Sequence, residues 1–209
     1  MKNRKVYMYV FDTMSDWEVG YLTAELNTGR YFKKGIEPLK IVTVGNDKNP
    51  ITTMGGLKVL PHITVDECNL TSKDLLILPG GETWTSKGNE LVLSKTKEAL
   101  DSGCIVAAIC GATLALAKEG LLDNRNHTSN DLGFLKMVVP SYLGEKNYKV
   151  EASVRDENLI TASGIAPLEF TVNVLKSLDV FEKEALSSWL NLYKTHDPKY
   201  FFELLNCNK

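Results

Sequence analysis

The sequence has no long hydrophobic run and no surplus of charge of either sign. Its 24 basic and 26 acidic residues give a formal net charge of −2, and the basic residues are spread along the chain. This balance provides no electrostatic basis for binding nucleic acid or an anionic membrane. The apolar run near the amino terminus is too short for a signal peptide, and Asp12 and Asp16 follow it too closely. We therefore expect a soluble, cytoplasmic protein that binds neither nucleic acid nor membranes.

Cysteine and histidine are scarce, with four and three residues respectively. The cysteines form no C-x-x-C pair and show no zinc-ligand spacing. In a reducing compartment they are most simply free thiols. We therefore expect no metal and no other cofactor.

The chain also lacks a linker, an internal repeat and a low-complexity tract. Its 209 residues suit one large domain or two small ones, and a hydrophobic fraction of 44% supports a sizeable core. We expect a single domain over residues 1–209, with a core at about residues 4–180 and a helical extension at residues 181–209.

Strand and helix patterns alternate along most of the sequence. Strands are predicted at residues 5–11, 39–44, 57–60, 74–78 and 105–109, and helices at residues 16–27, 90–100, 113–119 and 167–178. A hairpin is predicted at residues 148–155 and 159–163, and a short strand at or beside residues 127–128. Such alternation predicts an α/β fold with a mainly parallel sheet covered on both faces. In these folds ligands bind beyond the carboxyl ends of the strands.

Cys110 lies where one of the buried strands runs directly into a helix. Gly111 and Ala112 follow it, so the turn is made by small residues that leave space around the sulfur. A strand-to-helix elbow of this kind exposes a nucleophile, and a helix amino terminus favours the thiolate. We therefore predict that Cys110 is a nucleophile, whereas Cys68 and Cys104 are expected to be core residues.

Gly80 and Gly81 follow the predicted strand at residues 74–78. Glycines in this position often only form a turn. Their backbone N–H groups could also complete an oxyanion hole together with that of Gly111 or Ala112. We assign Gly81 and Gly111 to this predicted oxyanion hole.

Glu18 has two interpretations. The spacing from Ser15 to Glu18 matches a capping box, in which the carboxyl bonds only to the Ser15 amide. Alternatively, the carboxyl lies beside the Cys110 sulfur, where a protonated form would donate to a thiolate and an ionised form would repel it. The residue pattern alone leaves both interpretations open.

His127 is a candidate base. A lone histidine is usually structural or solvated, but His127 follows the helix after Cys110, and the next strand could bring it alongside the sulfur. There it would hold the ion pair and later protonate a leaving group. Asp131 and Glu169 are possible further members of a catalytic triad.

At these residues the chain resembles the ThiJ/PfpI superfamily, which has a class I glutamine amidotransferase-like fold. The superfamily includes the parkinsonism-associated protein deglycase and the PfpI-type intracellular proteases. The resemblance covers roughly residues 4–180. Its motifs are Asp16-Trp17-Glu18, residues 76–81, residues 107–112, Ser163-Gly164 and Glu169-Phe170.

The resemblance implies a flavodoxin-like three-layer sandwich with Cys110 as the elbow nucleophile. It also implies that Glu18 contacts the sulfur, that His127 lies near it, and that the protein is a homodimer.

Two departures from the superfamily narrow the expected activity. PfpI-type proteases carry a histidine directly after the cysteine, where this chain has Gly111. Glutamine amidotransferases carry a His-Pro-Glu motif near the end, and the nearest match here, residues 166–169, has no histidine. The sequence therefore argues against amidotransferase activity.

We expect a cysteine-dependent hydrolase or lyase acting on a carbonyl or amide, such as an amidase, a protease or a glyoxalase- or deglycase-like enzyme. Its substrate would be a small molecule or a damaged protein. The alternative is a redox-sensing or chaperone-like stress protein that uses the same cysteine without catalysis.

Overall fold

The computed structural model describes residues 4–207, so the first three residues of the predicted domain and the last two of the predicted extension lie outside it. The strands are β1 (Val6–Tyr9), β2 (Ile41–Gly45), β3 (Ile51–Thr52), β4 (Lys58–Val59), β5 (Ile63–Thr64), β6 (Leu75–Leu78), β7 (Ile105–Ile109), β8 (Ser153–Asp156) and β9 (Leu159–Ala162). The helices are α1 (Asp16–Thr28), α2 (Glu90–Asp101), α3 (Gly111–Lys118), α4 (Leu132–Val138), α5 (Pro167–Leu178), α6 (Lys183–Thr195) and α7 (Lys199–Cys207).

Seven strands form one sheet in the order β5-β2-β1-β6-β7-β9-β8. Every neighbouring pair is parallel except β8 and β9, which form an antiparallel hairpin. Strands β1 and β6 are fully buried, as is most of β7, which explains their continuous apolar sequences. The predicted α/β fold with a mainly parallel sheet and flanking helices is thus confirmed.

The sheet topology places the ends of β1, β6 and β7 side by side, because β6 pairs with both β1 and β7. The segments that follow these strands therefore meet at one edge. They lead respectively to α1, to the Gly80-Gly81 turn and to Cys110.

Two predicted strands differ in the structure. Residues 127–128 form only a single bridge, between His127 and Tyr148. The hairpin strand begins at Ser153 instead of residue 148, because Lys149 N donates to His127 O and this stretch follows the His127 segment instead of β9.

The predicted carboxyl-terminal extension contains α6 and α7. Trp189 of α6 is fully buried, and its Nε1 donates to Glu25 Oε1 of α1 at 3.0 Å. Glu25 is itself buried and paired with Arg30. Among residues 4–207, no helix has both the length and the apolar character needed to cross a membrane.

Candidate active site

Cys110 forms the predicted nucleophile elbow between β7 and α3. Its backbone has φ 57° and ψ −123°, a conformation that costs a residue with a side chain about 1–3 kcal/mol. The surrounding backbone holds this conformation: Cys110 N donates to Ala162 O at 2.9 Å, and Thr113 N and Oγ1 both donate to Cys110 O. The half-buried side chain therefore leaves the sheet at the carboxyl end of β7.

The structure brings Glu18 to the sulfur. The capping box does not form, because Ser15 N donates to Gly80 O instead and the Ser15 side chain makes no capping bond. The fully buried Glu18 carboxyl accepts from Gly80 N at 2.6 Å through Oε2. Its Oε1 has no conventional hydrogen-bond partner among the described residues, and it borders the same space beside Gly164 as the Cys110 sulfur.

Glycines enclose the pair so closely that a methyl group would not fit. A Cβ at Gly164 would lie 2.7 Å from Cys110 Sγ and 3.1 Å from Glu18 Oε1. A Cβ at Gly80 would lie 2.6 Å from Cys110 Cβ. The backbone at Gly80 and the backbone at Gly164 can therefore approach Cys110 and Glu18 of α1 this closely only because glycine has no side chain.

Gly81 and Gly111 also lie together, since a Cβ on Gly111 would be 2.7 Å from Gly81 O. The Gly111 N–H lowers the pKa of the Cys110 thiol. Met14 and Gly81 form a β-bridge, at which Ser15 N donates to Gly80 O and Glu82 N donates to Thr13 Oγ1. Neither of these hydrogen bonds comes from the Gly81 N–H. An oxyanion hole at these two glycines stays a prediction that their proximity permits.

His127 has its ring nitrogens engaged away from the sulfur. The fully buried ring donates from Nδ1 to Arg125 O at 2.7 Å, and Nε2 accepts from the Tyr142 hydroxyl at 2.6 Å. Burial lowers the pKa of His127, which keeps the ring neutral. The structure therefore does not bring a free imidazole nitrogen to Cys110, unlike the sequence-based expectation.

Asn130 contacts the sulfur instead, and the sequence analysis missed it. Its Nδ2 lies 3.3 Å from Cys110 Sγ, and its Oδ1 accepts from Gly164 N at 2.8 Å. The available signal was its position, three residues after His127 in the same polar segment. A carboxamide carries no charge and no proton that it can transfer in catalysis. The residue type alone therefore did not distinguish Asn130 from an asparagine in an ordinary loop.

The two other candidate triad members have structural partners. Asp131 Oδ1 accepts from Phe134 N at 2.7 Å and caps α4. Glu169 pairs with Lys194 of α6 at 2.5 Å. Within residues 4–207, no three His, Cys, Asp or Glu side chains are grouped as a metal site requires.

The position of Cys110 at a helix amino terminus predicts a thiolate, but the electrostatics of the site favour the neutral thiol. Burial is the largest cause that raises the pKa of the Cys110 thiol to about 11, and the nearby Glu18 carboxyl is the second. Asn130 and the Gly111 N–H oppose this rise. Burial also raises the pKa of Glu18, against lowering contributions led by the Cys110 thiol. Two adjacent anions would repel each other, so the pair holds at most one negative charge. The sulfur can therefore carry the negative charge only while Glu18 keeps a proton.

Comparison with known proteins gives a consistent set of similarities. The model of the DJ-1/PfpI family matches residues 4–177. The "Uncharacterized protease YoaZ" of Bacillus subtilis (strain 168) is 60% identical over 206 residues, covering 99% of this chain and 98% of that protein. The "Glutathione-independent glyoxalase DJR-1.2" of Caenorhabditis elegans is 23% identical over 150 residues, covering 69% of this chain and 76% of that protein.

Among solved structures, the thiJ/pfpI family protein from Bacillus anthracis superposes with a TM-score of 0.97 at 60% identity. The match covers 100% of this chain and 98% of that one.

Proposed function

The chain belongs to the DJ-1/PfpI family, and from this premise we propose that it is an enzyme whose Cys110 sulfur adds to the carbonyl of a small 2-oxoaldehyde. The observation that carries the proposal is the buried Glu18 carboxyl beside the sulfur of a strained elbow. A carboxyl held there can keep the proton that the addition step consumes.

In the reactive form, the single negative charge of the pair is on Cys110 and the proton is on Glu18. The sulfur electron pair forms a bond to the aldehyde carbon, and the carbonyl π electrons move to oxygen. Glu18 gives its proton to that oxygen, which leaves a neutral hemithioacetal and a Glu18 carboxylate. The Gly81 and Gly111 N–H groups would hold the developing oxyanion.

The carboxylate then removes the proton from the same carbon and returns it to the neighbouring carbon. The hydroxyl proton of the hemithioacetal passes to the oxygen on that neighbouring carbon, so the hemithioacetal becomes a thioester with a hydroxyl group beside it. Water hydrolyses the thioester to a 2-hydroxy acid and releases the thiol. The net reaction adds one water to the substrate and needs no external oxidant or reductant.

Peptide hydrolysis is less well supported than carbonyl addition. Expulsion of an amine needs a proton donor near the leaving group, and the predicted donor His127 is neutral with both nitrogens engaged. The 2-oxoaldehyde is also the substrate class suggested by the name of the glyoxalase DJR-1.2.

The test compares Cys110→Ala with Cys207→Ala, which makes the same change in α7. With methylglyoxal, the wild type and Cys207→Ala are expected to form 2-hydroxy acid, whereas Cys110→Ala loses at least roughly 100-fold in kcat/KM. Circular dichroism checks that both variants fold. Full activity of Cys110→Ala, or cleavage of peptides by a wild type that leaves methylglyoxal unchanged, would overturn the proposal.

A further inference from the structure

Asn130 has one amide orientation that satisfies its neighbours. Its Oδ1 accepts from Gly164 N at 2.8 Å, with the Ser163 hydroxyl at 3.5 Å. A backbone N–H can only donate, so the oxygen must face Gly164. The NH₂ group is consequently directed to Cys110 Sγ at 3.3 Å.

The segment that carries Asn130 is fixed at several points, although Asn130 itself is exposed. Ser129 Oγ bonds to Thr113 Oγ1 of α3 at 2.7 Å. Thr128 N donates to Thr161 Oγ1 of β9 at 2.9 Å. The buried His127 ring closes the segment from the other side through Tyr142. The amide thus reaches the sulfur from a pre-organised backbone, which reduces the entropy lost on making the contact.

We propose that Asn130 is a further catalytic residue, whose amide N–H donates to the Cys110 sulfur and favours the thiolate over the thiol. A hydrogen bond to the charged form stabilises that form. Because a carboxamide neither gives nor takes a proton, Asn130 holds charge on the sulfur without competing with Glu18 for protons. This inference deepens the proposed function by adding a second side chain to the activation of the same thiol.

The same contact predicts a change during catalysis. When the sulfur bonds to carbon it loses its negative charge, and the Asn130 N–H loses most of its attraction to it. The amide therefore stabilises the free thiolate more than the adduct. Its contribution increases the fraction of enzyme ready to react, and it should appear in the pH dependence of thiol reactivity.

The experiment measures the rate of Cys110 alkylation by iodoacetamide against pH, read by mass spectrometry of the Cys110 peptide. Asn130→Asp keeps an acceptor for Gly164 N but replaces the donor with an anion. Asn130→Ala removes the donor without adding charge. Asn124→Asp makes the same chemical change on the exposed turn before His127 and serves as the matched control.

At pH 7 we expect alkylation to slow about tenfold or more in Asn130→Asp and less in Asn130→Ala, each with its pH profile moved to higher pH. Asn124→Asp should behave as the wild type. If the aspartate variant fails to fold, the alanine variant decides, since it adds no charge and the side chain it truncates is exposed, although Gly164 N also loses its acceptor. Wild-type rates and an unmoved profile in the folded Asn130 variants would overturn the inference. Because the readout needs no substrate, it is independent of whether methylglyoxal is turned over.

Discussion

The Glu18 side chain combines a site role with a cost to folding. A carboxyl that is fully enclosed, with one oxygen lacking a conventional partner among the described residues, is favoured in its protonated form. Burial accordingly raises its pKa from an ordinary 4.5. In the unfolded chain Glu18 loses its proton at lower pH than in the folded protein. Above that ordinary pKa the unfolded state therefore binds fewer protons, and stability falls as pH rises.

Glu18→Gln is consequently expected to stabilise the protein at neutral pH. The glutamine oxygen can still accept from Gly80 N, and the side chain has no charge to bury. Urea unfolding at several pH values should show the variant gaining free energy of unfolding over the wild type between pH 4 and pH 7. Glu119→Gln, on an exposed side chain, is the control. A difference that is the same at every pH would contradict the prediction.

Helix α1 supplies Glu18 to the site and also carries a glycine in its middle. A Cβ at Gly20 would meet nothing within 4 Å. Glycine in a helix interior costs roughly 0.5–1 kcal/mol relative to alanine, because the unfolded chain has more conformations to lose. The exposed face of α1 thus retains a residue that its helix propensity does not favour.

Gly20→Ala should therefore raise the free energy of unfolding by about 0.5–1 kcal/mol. The measurement is the urea midpoint at a fixed protein concentration. Gly164→Ala, whose Cβ would lie 2.7 Å from the Cys110 sulfur, is the opposing comparison and should lose stability. A loss in Gly20→Ala would show that this face of α1 is covered in solution.

The elements that build the site differ in how far the sequence predicts them. The β7–α3 junction and α1 are set by short local patterns, an apolar run before Gly111 and a cap-like start at Ser15, and both were located correctly. The segment that includes His127 and Asn130 was not, because its position depends on pairing with residues 148–149. That pairing joins positions about twenty residues apart, and no local periodicity encodes it.

Across the whole molecule, α6 is attached to α1 through a buried polar contact. Trp189 is fully enclosed, lies against Tyr21 and Tyr193, and donates to Glu25, which Arg30 neutralises. A buried carboxylate keeps its charge at low cost only when such donors surround it. Helix α6, which follows the region that matches the family model, is therefore part of the packed core.

Trp189→Ala should cost about 3–5 kcal/mol in the free energy of unfolding, because it leaves a large cavity and removes a donor to Glu25. Phe202→Ala, at an exposed aromatic of α7, should change it by less than about 0.5 kcal/mol. Chemical denaturation followed by circular dichroism compares the two. Equal effects would mean that α6 is not held to the body of the protein in this way.

The glycines that enclose Cys110 and Glu18 limit which substitutions the site can accept. Gly80 and Gly164 lie directly against these two side chains, so even an added methyl group would collide with Cys110 and with the Glu18 carboxyl. Ile165, which follows Gly164 directly in the chain and is almost fully exposed, can instead change in size without meeting these atoms. Substitution at Ile165 is therefore a way to alter the solvent side of this site while the glycines themselves stay unchanged.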